Sequence, residues 1–317
     1  MTSLNLSQPL QFGPIFKERI WGGRRLEQLF GKRLPANRRI GESWELVDRN
    51  EAQSVVAAGP LNGRSLHELW VEHRDEIFGD VSDAERFPLL IKLLDAEEKL
   101  SLQVHPPPRA AAELDGEPKT EFWYIADATG DAELYVGLKK HSSQQHIEQA
   151  LASGRVEEHV HRIAVRSGDA MFLPSGRMHA IGAGNVIVEI QQNSDTTYRV
   201  FDWNRVDESG AARELHVDES LRSIDFEDFE PALVEPDGES LVSHALFNVD
   251  KWLLDQPRSV IDSHACAIVV CLTGAARCSG VAIPPGHFVL VPASLRNATL
   301  EPAAKNTSLL RVTLPVR

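Results

Sequence analysis

Sulfur is scarce in this sequence: three cysteines (Cys266, Cys271, Cys278) and three methionines in 317 residues. The cysteine number is odd and the spacing is not C-x₂-C. All three lie among Ile, Val and Leu, which excludes a disulfide framework or a cysteine zinc site. The pattern points to small buried hydrophobes in a reducing compartment. Long apolar runs are also missing, since no window approaches the ~18 residues of a membrane span. Between Met1 and Leu10 no charged stretch precedes an apolar one, so no signal peptide and a cytoplasmic location are expected. Positive charge is in deficit, with 33 Lys+Arg against 46 Asp+Glu and a net charge of −13. That balance excludes nucleic acid as the main partner, because its phosphates demand a basic footprint. It does not exclude a small anion. Between 207 and 240 there are twelve acids and two bases, and ions screen such charges beyond ~8–10 Å.

The remainder is ordinary globular composition, 42% hydrophobic and 25% charged, long enough for roughly two domains. Helical patterns are few. Ser65 precedes a short amphipathic stretch with Glu68 at the third position, a capping-box signature. Ser142 to Ser153 reads as a second helix closed by Gly154. The other runs are short and β-like, broken by Gly, Pro and Asp: 87–94, 100–104, 122–126, 170–173, 186–191 and 267–272. Their spacing predicts a β-sandwich or barrel. Gly168 to Pro174 and Gly286 to Pro292 share the form G-x₅-P. Each follows a matched segment, one ending in Thr129-Gly130 and the other in Thr273-Gly274. This duplication predicts two related barrels. Residues 1–206 form the first, with a helical insert near 142–153, and residues 241–317 the second. The acidic stretch 207–240, with Pro231, Pro236 and Gly238, is expected to be a helical or irregular connection.

The two copies differ where chemistry would sit. Five residues after the proline stands His179 in the first and Asn297 in the second. Nine residues before the Thr-Gly glycine stands Glu121 in the first and Ala265 in the second. Only the first barrel therefore keeps a candidate metal site. Upstream, the strand period of two aligns Ser101, Gln103 and His105 on one face and Leu102 and Val104 on the other. Lys119 and Glu121 align in the same way. Gln103, His105, Glu121 and His179 make a mixed N/O donor set suited to Zn²⁺ with an open position, a preference that Mn²⁺, Fe²⁺ and Co²⁺ share. Scattered polar residues on a solvated face are the plain alternative. His159-Val160-His161 also has ligand spacing but reads as a solvated strand start. If the polar run from Glu189 stays extended, then Glu189, Gln191, Asn193, Asp195, Thr197 and Arg199 share one face.

These residues occur in blocks that resemble the type I mannose-6-phosphate isomerases: Phe87 to Lys92, Leu100 to Pro106, Lys119 to Tyr124, Pro174 to Gly184 and Gln191 to Val200. The similarity runs from about Pro14 to about Val217 and is nearest to the short bacterial form. It implies a cupin-type, mainly β fold of two jelly-roll barrels with a few short helices. It also implies one zinc ion per chain and interconversion of mannose 6-phosphate and fructose 6-phosphate through a cis-enediol. Carried over by position, the metal ligands fall on Gln103, His105, Glu121 and His179. Arg199 falls on a catalytically important position and Lys92 and Ser101 on sugar-phosphate positions; Lys119 and Asp195 are taken as further catalytic candidates, with Glu189 a candidate for proton transfer or substrate contact. Lys119 can serve as a base only if burial and nearby charge lower its pKa. Longer relatives carry a His where this chain has Pro118, so no role of that His transfers. The last ~75 residues match the family only loosely, as expected for a structural second barrel. The rival readings are another metal cupin, such as a dioxygenase or sugar epimerase, and a noncatalytic sugar-phosphate sensor. The sequence leaves the oligomeric state open.

Overall fold

The computed structural model describes residues 4, 6–206, 210–261 and 263–317. The chain is mainly β, as expected, with a few short helices. Residues 15–201 build two sheets whose strands pair antiparallel. The larger runs Ile15–Gly23, Ile40–Leu46, Leu89–Ala96, Asn185–Gln192, Glu121–Ala128, Ala170–Leu173. The smaller runs Tyr198–Phe201, Leu102–Val104, His179–Ile181, Glu133–Leu138, Val160–Ala164.

Residues 240–313 repeat this arrangement. One sheet runs Ser240–Ser243, Asn248–Leu254, Thr307–Thr313, Ala267–Thr273, Phe288–Val291; its partner runs Arg258–Ser259, Thr299–Pro302, Ala276–Cys278, Val281–Ile283. The strands from Leu89–Ala96 to Asn185–Gln192 thus have counterparts from Asn248–Leu254 to Thr307–Thr313, in the same chain order and the same sheet positions. The G-x₅-P strand pairs with the Thr-Gly strand in both halves. One detail of the sequence alignment changes. Leu173 pairs with Glu121 and Val291 pairs with Ala267, so the counterpart of Glu121 is Ala267, two residues on from Ala265. An alignment anchored on the Thr-Gly turn misplaces it because Gly130 lies nine residues after Glu121 but Gly274 only seven after Ala267.

Local signals set the helices. Ser65 and Glu68 form the reciprocal capping box of Leu66–Glu72. Gln144–Ser153 starts at Ser143 and ends on Gly154 at φ +68°, where the left-handed backbone favours glycine. Among its described residues the acidic connection contains one helix, Val217–Ser223, in otherwise irregular chain. The extended run from Glu189 to Arg199 does not form. The strand ends at Gln192 and the chain crosses to the other sheet, pairing again only at Tyr198. The Asn193 amide donates to the carbonyls of Asp48 and Phe87 and fixes this crossing.

An apolar core runs through both halves, from Leu10, Phe30, Phe122 and Tyr124 to Leu241, Phe247, Leu290 and Val312. At the junction Gly79 has φ +78°, and a Cβ there would lie 1.9 Å from the His264 carbonyl oxygen; no larger residue fits. The second half also holds its own interior cluster, including Trp252, Leu254, Cys271, Val289 and Leu309. Among the described residues, no helix is long and apolar enough to cross a membrane.

Candidate metal centre

The smaller sheet of the first half presents three site residues in one row. Arg199 pairs with Gln103, and Gln103 pairs with His179. Residues opposite one another in an antiparallel pair project to the same face. Leu102 and Val104 are fully buried on the other face, so Gln103 is turned inward by its neighbours' hydrophobicity. The larger sheet contributes a second row, Trp44–Lys92–Glu189–Trp123, and Glu121 at the head of its strand. Between the sheets lies a cavity of about 380 Å³. The ten residues given metal, catalytic or substrate roles from the sequence all line it: Lys92, Ser101, Gln103, His105, Lys119, Glu121, His179, Glu189, Asp195 and Arg199.

At its buried end His105, Glu121 and His179 bring their ligand atoms within 4.8 Å of one another. The His105 Nδ1 lies 2.9 Å from the Thr196 carbonyl oxygen and the His179 Nδ1 lies 2.9 Å from that of Arg177. A carbonyl only accepts, so each Nδ1 carries the hydrogen. Burial, then Lys119, pushes the His105 imidazole down to about 3, and burial lowers His179 as well. Both rings are therefore neutral, with bare Nε2 lone pairs aimed at Glu121, at 3.2 and 3.6 Å. Burial alone would raise the Glu121 carboxyl, but the Lys119 ammonium beside it holds it well below the usual range. The 3.2 Å contact consequently joins two acceptors with no proton between them. His105 Nε2 and Glu121 Oε2 are buried without hydrogen-bond partners. Orphaned acceptors facing one another are costly, and a cation resolves the conflict. This donor set fits a metal ion, with backbone carbonyls fixing the ring tautomers from behind. The Gln103 Nε2 donates to Ser101 Oγ at 3.1 Å, which turns that amide's donor end toward the serine.

Cations and carboxylates alternate along the remaining wall. Lys119 Nζ lies 3.1 Å from Glu121, and Lys92 Nζ lies 3.0 Å from Glu189. The Trp123 indole donates to the other Glu189 oxygen at 2.8 Å. Burial alone would lower the Lys92 ammonium, but Glu189, Glu42, Asp195 and Glu121 outweigh it and raise its pKa. Glu189 is pushed up by burial, with Glu121 adding to the effect against the pull of Lys92. Asp195 is exposed at the mouth. Arg199 is half-buried there, its Nη1 donating to the Glu214 carbonyl and its Nε buried without a partner.

The sequence reading missed Arg19, Trp21, Glu42, Trp123 and Arg213 as site residues, all of which line the cavity; Thr197, placed on the candidate polar face, lines it too. Arg19 and Trp21 arrive through a bulge, since Glu18 and Gly23 both pair with Ile40 and the residues between loop out. Close backbone approach permits it: a Cβ on Gly22 would lie 2.3 Å from the Gly41 nitrogen. The pair of glycines after Trp21, with Gly41 opposite, is the signal that could have marked it. Gln191 and Asn193 do not line the cavity; their amides hold the crossing loop. His159 stacks on His146 with centroids 5.7 Å apart and joins no metal group among the described residues. The three cysteines are buried free thiols, as expected.

Residues 10–122 match the family model for the catalytic domain of type I phosphomannose isomerase. The chain is 38% identical over 312 residues to mannose-6-phosphate isomerase ManA of Bacillus subtilis (strain 168), covering 93% of this chain and 96% of that protein. It is 36% identical over 305 residues to mannose-6-phosphate isomerase of Streptococcus mutans, covering 92% and 95%. The crystal structure of the mannose 6-phosphate isomerase from Bacillus subtilis superposes with a TM-score of 0.86 at 32% identity, over 97% of this chain and all of that one.

Proposed function

This chain belongs to the type I phosphomannose isomerase family, and on that premise we propose that it interconverts mannose 6-phosphate and fructose 6-phosphate through a cis-enediol. One Zn²⁺ per chain is held by Gln103, His105, Glu121 and His179. The observation that carries the reading is the pair of bare imidazole nitrogens facing an unprotonated, buried Glu121 inside a cavity that also presents Arg199.

Aldose–ketose isomerisation moves a proton between C1 and C2, so the site needs a base, charge stabilisation and a hold on the phosphate. When bound, the metal supplies Lewis-acid polarisation of the sugar oxygens and a template for their orientation. Arg199 stabilises developing negative charge, a task suited to a guanidinium that stays ionised. Lys119, beside the ligand carboxylate, and Asp195, at the mouth, support proton transfer. Lys92, Ser101 and Glu189 contact the sugar phosphate, with the Glu189 carboxylate held in place by Lys92 and Trp123.

In this reading residues 1–206 are the catalytic barrel, 207–240 an acidic connection and 241–317 a barrel that has lost its ligands. The enzyme works on a small molecule, without nucleic acid or membrane, in the cytoplasm, where buried free thiols stay reduced. A coupled assay for fructose 6-phosphate from mannose 6-phosphate tests it, run before chelation, after chelation and after zinc is restored. Loss on chelation and recovery with zinc is the expected result. No product from the zinc-loaded protein would overturn the reading.

A further inference from the structure

Asp202 to Arg205 form a turn in which two successive residues, Trp203 and Asn204, both have φ +56°. A bulky aromatic in the left-handed region persists only where its surroundings over-determine it. Here they do. The Trp203 indole donates to the Leu100 carbonyl at 2.6 Å, and Arg205 Nη1 donates to the Lys99 carbonyl at 2.6 Å. The Lys99 ammonium lies 3.6 Å from the indole centroid. Leu100 in turn donates its N–H to Ile181. The indole therefore pins the point from which the chain enters the Gln103 and His105 strand, beside the strand that starts at His179.

The other end of the turn faces the cavity mouth. Asp202 is buried and gathers two arginines. Arg213 grips it with a fork, Nε to Oδ2 at 2.7 Å and Nη2 to Oδ1 at 2.5 Å, and Arg205 binds the same Oδ1. Arg213 lines the cavity beside Arg199, whose buried Nε lacks a partner. Two neighbouring guanidiniums repel unless an anion lies between or against them. Asp202 satisfies one face of Arg213 and leaves the cation turned to the cavity.

We propose that this turn positions the site at both ends. Trp203, through Leu100, fixes the strand that presents Gln103 and His105. Asp202 fixes Arg213 as a further substrate-binding residue, beside Arg199, for the anionic end of the sugar phosphate. The proposal rests on the isomerase reading for its substrate and on the metal centre for its ligands.

The two ends should come apart in experiment. Trp203→Phe keeps an aromatic face, smaller than the indole, and removes the N–H; its zinc dissociation constant, read by chelator competition, should rise about tenfold. Its dissociation constant for inorganic phosphate, read by calorimetry on zinc-loaded protein, should stay within about twofold. Asp202→Asn should do the reverse, weakening phosphate and raising KM about tenfold while zinc affinity holds. Arg213→Met should match Asp202→Asn, and Arg213→Lys should recover part of the loss. If Trp203→Phe does not fold, Lys99→Met gives the same readout with a smaller shift. Zinc and phosphate weakening together in both variants, or neither changing, overturns the proposal, as does wild-type protein that binds no zinc. Wild-type protein that binds zinc and phosphate yet yields no fructose 6-phosphate would instead overturn the isomerase reading and leave the turn's role intact.

Discussion

The two halves of this chain use one strand order for opposite interiors. In the first, buried side chains include Lys92, His105, Lys119, Glu121, His179 and Glu189, set around a cavity. In the second, the corresponding space holds Trp252, Leu254, Val269, Cys271, Val289 and Leu309. Glu121 has its counterpart in the buried Ala267, whereas Asn297, matched to His179 by its spacing from the proline, lies exposed ahead of the strand Thr299–Pro302. Fold geometry is therefore not what makes the metal centre. The difference lies in a few inward positions, where the first half accepts unsatisfied polar groups and the second fills most of the space with packed hydrocarbon and pairs its buried Arg311 with Asp250. The shared apolar core then lets the packed half brace the other, because a sheet that carries orphaned acceptors is the weaker partner on its own.

Exchanging the two interiors at one position tests this most severely. Glu121→Gln removes the charged ligand, and we expect metal content to collapse and turnover to fall at least about a thousandfold. The converse, Ala267→Glu, should gain no metal, since no second-half residue replaces His105. It should instead destabilise the protein by about 3–5 kcal/mol, the cost of an unpaired buried charge, read by denaturant unfolding. A metal site appearing at Ala267→Glu would break the comparison.

The next effect belongs to the packed half. Leu309 is fully buried there, and Leu309→Ala should cost about 2–5 kcal/mol through lost burial and the cavity left behind. The kcat of the protein that remains folded should not change. A kcat that falls with stability would mean the second half does more than brace the first.

Acid should separate the halves without mutation. The His105 imidazole is held down to about 3 by burial and Lys119, against about 6.5 in an unfolded chain. Between those values the unfolded state binds the additional proton, so stability falls as pH drops from about 6.5 toward 3. Metal loss runs in the same window, because His must be neutral to bind. Melting temperature followed against pH, with and without chelator, checks this: zinc should protect near neutrality, and its protection should fade on acidification. His105→Gln in chelated protein should flatten that slope.

Much of this site could be read before the fold was known, for a physical reason. Gln103 and His105 alternate with Leu102 and Val104, and a strand's period of two converts that directly into a face. The duplicated G-x₅-P segment did the same for His179 by contrast with Asn297. Arg19 and Arg213 were not legible, because a bulge and a turn of left-handed residues bring them in. No local period encodes either. The run from Glu189 to Arg199 failed for a related reason. Its polar residues serve both the cavity and the loop that changes sheets, and alternation assumes a chain that stays extended.

The smallest effect bears on the scarcest element. Cys266, Cys271 and Cys278 are buried in the second half, and burial pushes their thiols up, to about 12 for the first two and about 11 for Cys278. Protonated thiols do not ligate zinc, so these sulfurs serve as packing, like the leucines around them. Cys278→Ala should therefore cost only about 1 kcal/mol, the loss of one small buried group, with zinc content and kcat unchanged. Thiol-labelling rates in wild-type protein should track global unfolding, because no reactive thiolate is presented in the folded state. Metal loss on Cys278→Ala would mean that the second half takes part in the metal centre, and the division into a chemical and a packed interior would fall.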